Sequence, residues 1–413
     1  MSLRVADVLA LPGLQSLQLR AGAAGLDNPV RWPYVAENAG IADWVMGGEL
    51  IFVTGINHPR DEANLLQLVH EGHQQLVAGL VILTGEEFIQ SIPSSVINEA
   101  ERLGIPLLEQ PYQLKMVIVT QAIGTALVEE QVLGRSRLHV LEQLLEGDYR
   151  SLDVLLQRAH NLRLPLAVPR QVALFKLEGG ERLFTAEQPE QAERQLQANR
   201  QQLQRQLEQS LGTLGDALAP ICQGEHWIAL LPAHDSPHEQ RNRRAMMRLL
   251  EQLNQQLAPQ RLFLGLSDAN HHPARYAHGL SEARQALVAA QSFPERLGLC
   301  CFNELGVIEL LGAIRDRTLL DRFVDNVLGA LIGDDSRHEA VLIPTLEAWF
   351  HENGNLALAA QRLAVHRNTL GHRLQRIEAL SGCSFDDPHD RLNIAVALQI
   401  WRLSPPRNTR NTG

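Results

Sequence analysis

The stretch "NGNLALAAQRLAVHRNTLGHRLQRIEALSG", Asn353 to Gly382, is the part of this sequence whose reading decides most. Gly354 suits the left-handed residue that closes a helix, and the Asn355 side chain can cap the next one. Leu356, Ala359, Ala360 and Leu363 fall on one face of a first short helix, with two small residues where another helix must come close. A second helix begins near His366 and buries Leu370, Leu374 and Ile377, at i, i+4 and i+7. Two short helices joined by a turn of about two or three residues form a helix-turn-helix.

At about 100° per residue, Asn368, His372 and Gln375 point away from the buried stripe of the second helix, with Thr369 and Arg376 to one flank and Arg367 at its start. The first turn of this helix is the part that reaches base edges in the major groove. Arginine reads guanine and asparagine reads adenine, each with two hydrogen bonds, while threonine, histidine and later arginines suit phosphate. The expected DNA-binding residues are therefore His366, Arg367, Asn368, Thr369, His372, Arg373, Gln375 and Arg376. A solvated helix that is merely arginine-rich is the plain alternative, since the chain has only two lysines, Lys115 and Lys176. Apolar spacing on both helices, small residues at the crossing and Arg-Asn-Thr in the first turn weigh for DNA.

Charge agrees with that division. The formal net charge is -10, yet from Asn355 onward eight arginines face only four acidic residues. The C-terminal segment can approach a polyanion that the remainder would repel.

The 413 residues predict two to four domains at about 100–200 residues each. Polar residues, Pro12 and Gly13 interrupt the first apolar residues, and no uninterrupted apolar run approaches the ~20 residues that span a bilayer. A soluble, cytoplasmic protein is expected. Cys222, Cys300, Cys301 and Cys383 form no metal-binding pair, so reduced, mostly packed thiols are expected.

"ELIFVTG" (Glu49–Gly55) and "GLVILTG" (Gly79–Gly85) are short apolar runs ending in turns, with helical spacing from Asn64 to Ala78 between them. "IPSSVINEAERLG" and "IPLLEQP" repeat the unit as helix and strand, so a parallel sheet covered by helices is expected. A long periodic stretch from Gln113 to Gly147 follows, with Gly124 and Gly134 as places where it could kink or break. It also offers a possible dimer seam. The middle of the chain reads as α+β: strands at Arg170–Glu178, His226–Pro232 and Arg261–Asp268, helices at Ala192–Leu211 and Pro273–Ser292. A further helical pattern covers Thr318–Gly333.

The Asn353–Gly382 stretch, with "FDDPHDRLNIAVALQIW" after it, resembles the C-terminal DNA-binding domain of the PucR/CdaR-type bacterial transcription regulators. In the second segment Asp386 or Asp387 caps a helix, Pro388 sits in its first turn, and Leu392, Ile394, Val396 and Leu398 help close the domain. Ala364 stands where that family usually has glycine, and Gly371 and His372 where it has a larger or basic residue and a tyrosine. "GLDNPVRWPYVAENAGIADWVMGGELIFVTGI" (Gly25–Ile56), with the units up to Gly124, resembles the N-terminal purine-catabolism-regulator domain. Gln171–Phe293 resembles the degenerate GGDEF-like module of the same regulators. No GGDEF or GGEEF string occurs, so cyclic-dinucleotide synthesis is not expected.

The expected fold is multidomain α/β and α+β: an N-terminal parallel α/β sensing domain (1–125), a connecting helix (126–150), a degenerate GGDEF-like α+β domain (151–305), a helical connector (306–340), an all-α helix-turn-helix domain (341–403) and a disordered tail (404–413). Open parallel sheets bind ligands at the carboxyl ends of their strands. Thr54, Gly55, Asn57, Thr84, Gly85, Glu86 and Glu109 are accordingly the candidate effector-binding residues, although Thr-Gly pairs also serve simply as turns. His70/His73 and His271/His272/His278 lack the further ligands of a metal site, and Glu99, Glu101 and Glu109, which could supply acid/base pairs, read as solvated charges, so no metal, cofactor or catalytic residue is expected. The resemblance implies a metabolite-responsive regulator, an activator of a catabolic operon, acting as a homodimer or higher homo-oligomer on operator DNA. An α/β enzyme, or an assembly module with an accessory helical domain, are the alternatives.

Overall fold

The computed structural model describes residues 3–403 apart from 57, 87–88, 187, 215–217, 315 and 338–339. Asn57 and the tail from 404 therefore lie outside the described residues. The chain forms two compact units, Met1–Leu141 and Glu142–Gly413.

The first unit runs α1 (Val5–Leu9), β1 (Gln18–Ala21), β2 (Trp32–Val35), β3 (Glu49–Val53), α2 (Glu62–Gln74), β4 (Gly79–Thr84), α3 (Ser94–Leu103) and β5 (Leu107–Pro111). Its sheet has the order β1-β5-β4-β3-β2, in which β2 to β5 are parallel and β1 is antiparallel to β5. Every residue of β4 is buried, as an unbroken apolar run requires of a strand covered on both faces. One apolar cluster forms around α2 and α3, from Leu68, Val69, Val96 and Ala100. A second on the other face includes Phe52, Val81, Leu108 and Val119.

The segment after β5 is one continuous helix, α4 (Met116–Glu146). Gly124 and Gly134 do not break it, and a Cβ at either would meet open space. Among the described residues, α4 is long and apolar enough to cross a membrane by length and composition. Its apolar residues are nevertheless interspersed with polar ones, and Glu129, Glu130, Arg135 and Arg137 lie in its second half.

The second unit begins with α5 (Leu152–Asn161) and the central strand β6 (Arg170–Glu178), followed by α6 (Glu181–Ala186), α7 (Pro189–Gly212), β7 (Ile221–Gln223), β8 (His226–Pro232), α8 (Ser236–Gln256), β9 (Arg261–Asn270), α9 (Tyr276–Ser292) and β10 (Leu299–Cys301). Its sheet has the order β10-β9-β6-β8-β7, antiparallel except for the β9–β10 pair. Helix α9 presses so closely on β9 that a Cβ on Gly265 would sit 2.1 Å from the Ala283 carbonyl oxygen. Only glycine fits that crossing. Cys300 and Cys301 are buried, and burial pushes their thiols up to about 11 and about 12 respectively. Cys222 departs from the expectation of packed thiols, because it is exposed.

Helices α10 (Val307–Ala313), α11 (Arg317–Arg337), α12 (Leu342–His351), α13 (Leu356–Arg362), α14 (Arg367–Ser381) and α15 (Pro388–Leu403) complete the chain. They share one apolar core that includes Leu328, Leu346, Ala359, Leu370, Ile377 and Ala397. The fold is thus α/β, then α+β, then all-α, as the sequence implies. Two expected core residues are not in that core: Leu356 is 37% exposed and Leu392 is 61% exposed.

Candidate nucleic-acid interface

Helix α13 starts where Asn355 accepts hydrogen bonds from the amides of Ala357 and Leu358, at 3.1 and 3.2 Å. The preceding turn is closed by Gly354 at φ +81°. The end of α13 is a Schellman motif: the Val365 amide donates to the Ala360 carbonyl at 3.0 Å and the Ala364 amide to that of Gln361 at 3.1 Å. Ala364 occupies the left-handed position of this motif, at φ +53°. It therefore takes the conformation that glycine would adopt without penalty.

His366 is the N-cap of α14, its Nδ1 accepting from the Asn368 amide at 3.3 Å. A ring nitrogen that accepts carries no proton, so the cap requires the neutral tautomer with its proton on Nε2. Leu370, Leu374 and Ile377 are buried against α11, α12 and α13, which fixes the rotation of α14. His366, Arg367, Asn368, Thr369, His372 and Gln375 are exposed on the remaining face, and Arg373 is half-buried. The arrangement offers a row of donors and cations at a helix start, set on a rigid apolar base.

Arg376 is exposed as expected but not free. Its Nη2 donates to both carboxylate oxygens of Asp334 on α11, at 2.8 and 3.0 Å. Asp334 is a residue the sequence did not single out, because 42 positions separate it from its partner. From the end of α13, Arg362 reaches Glu352 Oε1 and His351 Nδ1, each at 3.2 Å.

The candidate effector residues of the first unit cluster only in part. Thr84 Oγ1 donates to Glu109 Oε1 at 2.6 Å, and Arg20 Nε donates to the other oxygen of Glu109. Thr54 holds the chain after β3 through the Ile56 amide at 3.3 Å. Gly85 sits against Tyr112, and its amide donates to the Ile89 carbonyl at 2.8 Å. Glu86 is exposed, and Asn57 lies outside the described residues. Glu99 and Glu101 both have partners: Glu99 pairs with Arg102 at 2.6 Å, and Glu101, which is exposed, accepts from the Gly22 amide, also at 2.6 Å.

Three family models match the chain. Residues 7–127 match the purine catabolism regulatory protein-like family, 146–289 a GGDEF-like domain, and 342–400 the PucR C-terminal helix-turn-helix domain. The chain is 27% identical over 184 residues to the purine catabolism regulatory protein of Bacillus subtilis (strain 168), covering 44% of this chain and 34% of that one. It is 21% identical over 262 residues to the DNA-binding transcriptional activator AdeR of the same organism, covering 63% and 58%. The carbohydrate diacid regulator of Escherichia coli (strain K12) is 41% identical over 63 residues, covering 15% and 16%. The matched part thus spans at most 58% of the length of these relatives.

Proposed function

Because the three matched domains make this chain a PucR-type regulator, we propose that it is a cytoplasmic, metabolite-responsive activator of a catabolic operon. It binds operator DNA as a homodimer through α14. Arg367 and Asn368 read base edges, while Thr369, His372, Arg373 and Gln375 hold the phosphate backbone on either side. His366 sets the first turn of the helix. Arg376 contributes to the phosphate set once it exchanges Asp334 for DNA. A single short helix reads few base pairs, so two copies on half-sites about 34 Å apart, or a multiple of that, supply the rest. The N-terminal unit receives the effector at the strand ends that carry Thr54, Gly55, Asn57, Thr84, Gly85, Glu86 and Glu109. Regulation rather than catalysis is its activity.

The observation that carries this reading is the first turn of α14, where four consecutive polar residues from His366 to Thr369 are exposed above a buried leucine. The name of AdeR, a DNA-binding transcriptional activator, supports the activator assignment. The test is an anisotropy titration against duplex DNA from the protein's own upstream region and against a shuffled duplex, at two salt concentrations. Preferential, salt-sensitive binding that is lost in Arg367→Ala is expected. Equal, weak binding to both duplexes by both proteins would refute it.

A further inference from the structure

The central sheet of the second unit holds a cavity of about 770 Å³ at the end of β6. Register explains its position. Phe175 of β6 lies opposite Trp227 of β8, while Lys176 and Glu178 lie opposite Phe263 and Arg261 of β9. Strand β6 then stops at Gly179, φ +84°, and the chain turns away into α6. Three strand ends and the first turn of α6 are left surrounding open space.

The lining is mixed: it includes the carboxylates of Glu178, Glu181 and Glu225 beside two groups of side chain suited to a ligand. Phe184, Phe263 and Trp227 supply flat apolar surface, and Arg182, Arg200 and Arg261 supply guanidinium groups. Among the described residues no carboxylate pairs with any of these three arginines. Arg261 lies 5.1 Å from the Phe263 ring and Arg200 5.5 Å from that of Trp227. A guanidinium held over a ring keeps in-plane donors available to an anion, although Arg200 already gives its Nη2 to the Gly224 carbonyl. Lys176, by contrast, is taken by Glu178 at 2.8 Å.

Gln260 is a separate pointer to a ligand. It lines the cavity and is only 3% exposed. Its Oε1 accepts from Asn199 at 2.7 Å, which orients the amide, while its Nε2 has no protein partner among the described residues. That nitrogen lies 3.5 Å from where a Cβ on Gly180, another lining residue, would stand. The Trp227 indole nitrogen, also buried, likewise has no partner among the described residues.

We propose that this cavity is a second small-molecule site, separate from the strand ends of the first unit, and that it takes a flat ring carrying two or more negative charges. The ring packs on Phe184 and Phe263, the anionic groups lie between Arg182 and Arg261, and Gln260 donates to a neutral acceptor. Phosphate and carboxylate share the required chemistry. The site makes no use of α14, so it stands or falls independently of DNA binding.

Isothermal titration of the full chain tests it with four probes: adenosine 5′-diphosphate, pyridine-2,6-dicarboxylate, inorganic pyrophosphate and adenosine. At least one of the first two should bind about ten-fold or more tightly than pyrophosphate or adenosine, and whichever binds identifies phosphate or carboxylate as the source. Replacing Arg182 and Arg261 together by alanine should weaken that binding at least about ten-fold, because charge-assisted hydrogen bonds are lost. Gly180→Leu should block it while leaving all the arginines in place, which keeps the test decisive if the double variant fails to fold. Failure of both ring-bearing anions to bind, or unchanged binding in folded Gly180→Leu, overturns the proposal.

Discussion

The carboxyl ends of β4 and β5 and the exposed face of α14 are both rich in polar groups, yet they treat those groups differently. At the strand ends Thr84, Glu109 and Arg20 satisfy one another, and two of the three are largely shielded from water. On α14 the polar residues from Arg367 to Thr369 stand in solvent, their side chains uncommitted among the described residues, whereas Arg376 is held by a carboxylate. Groups that satisfy each other stabilise the fold in which they sit. Groups held open on a rigid base need break no internal bond when a partner arrives, and their energy, less the entropy of fixing them, is realised then.

Four substitutions put the contrast to the test. Leu370→Ala removes the base itself and should cost about 2–5 kcal/mol through lost burial and a cavity. Urea unfolding would measure this, with DNA affinity lost as a consequence. Arg367→Ala should leave the urea midpoint unchanged and remove about 1–3 kcal/mol of operator discrimination. A loss of stability in that variant would place Arg367 among the structural groups.

Glu109→Gln should destabilise the first unit by about 1 kcal/mol, with no change in DNA binding, because it weakens hydrogen bonds to Thr84 and Arg20 that are partly screened by solvent. If stability is instead kept and an effector-induced melting shift disappears, the strand ends belong with the open surfaces. The smallest effect belongs to Asp334→Asn. It releases Arg376 to phosphate, so the slope of log affinity against log salt should steepen by roughly 0.9 per protomer. An unchanged slope would mean that Arg376 never leaves α11.

Most of the open face was legible in the sequence, because helical spacing fixes which residues oppose Leu370, Leu374 and Ile377. Strands β3, β4 and β5 were legible for a similar reason: a buried parallel strand is an apolar run. Strands β1, β2, β7 and β10 were missed, being only three or four residues long, too short for alternation to be read. Leu356, the first residue of α13, and Leu392, in the second turn of α15, fit the apolar rhythm but lie outside the core that the rhythm anticipates. The Asp334 pairing and the cavity beside β6 depend on residues brought together across long separations, and local pattern carries no information about such meetings. Glu101 and Glu109 misled as free charges because their partners, the Gly22 amide and Arg20, come from the other end of the same unit.

Ala364, with its left-handed backbone at φ +53°, has a consequence of a different sort. Placing alanine there costs roughly 1–2 kcal/mol of strain, of which about 0.4–1 kcal/mol is returned because alanine has less freedom than glycine in the unfolded chain. The turn is consequently stiffer than its glycine counterpart. The angle between α13 and α14 is set when the domain folds, so docking need not include the entropy of fixing it, and a larger share of each contact appears as affinity.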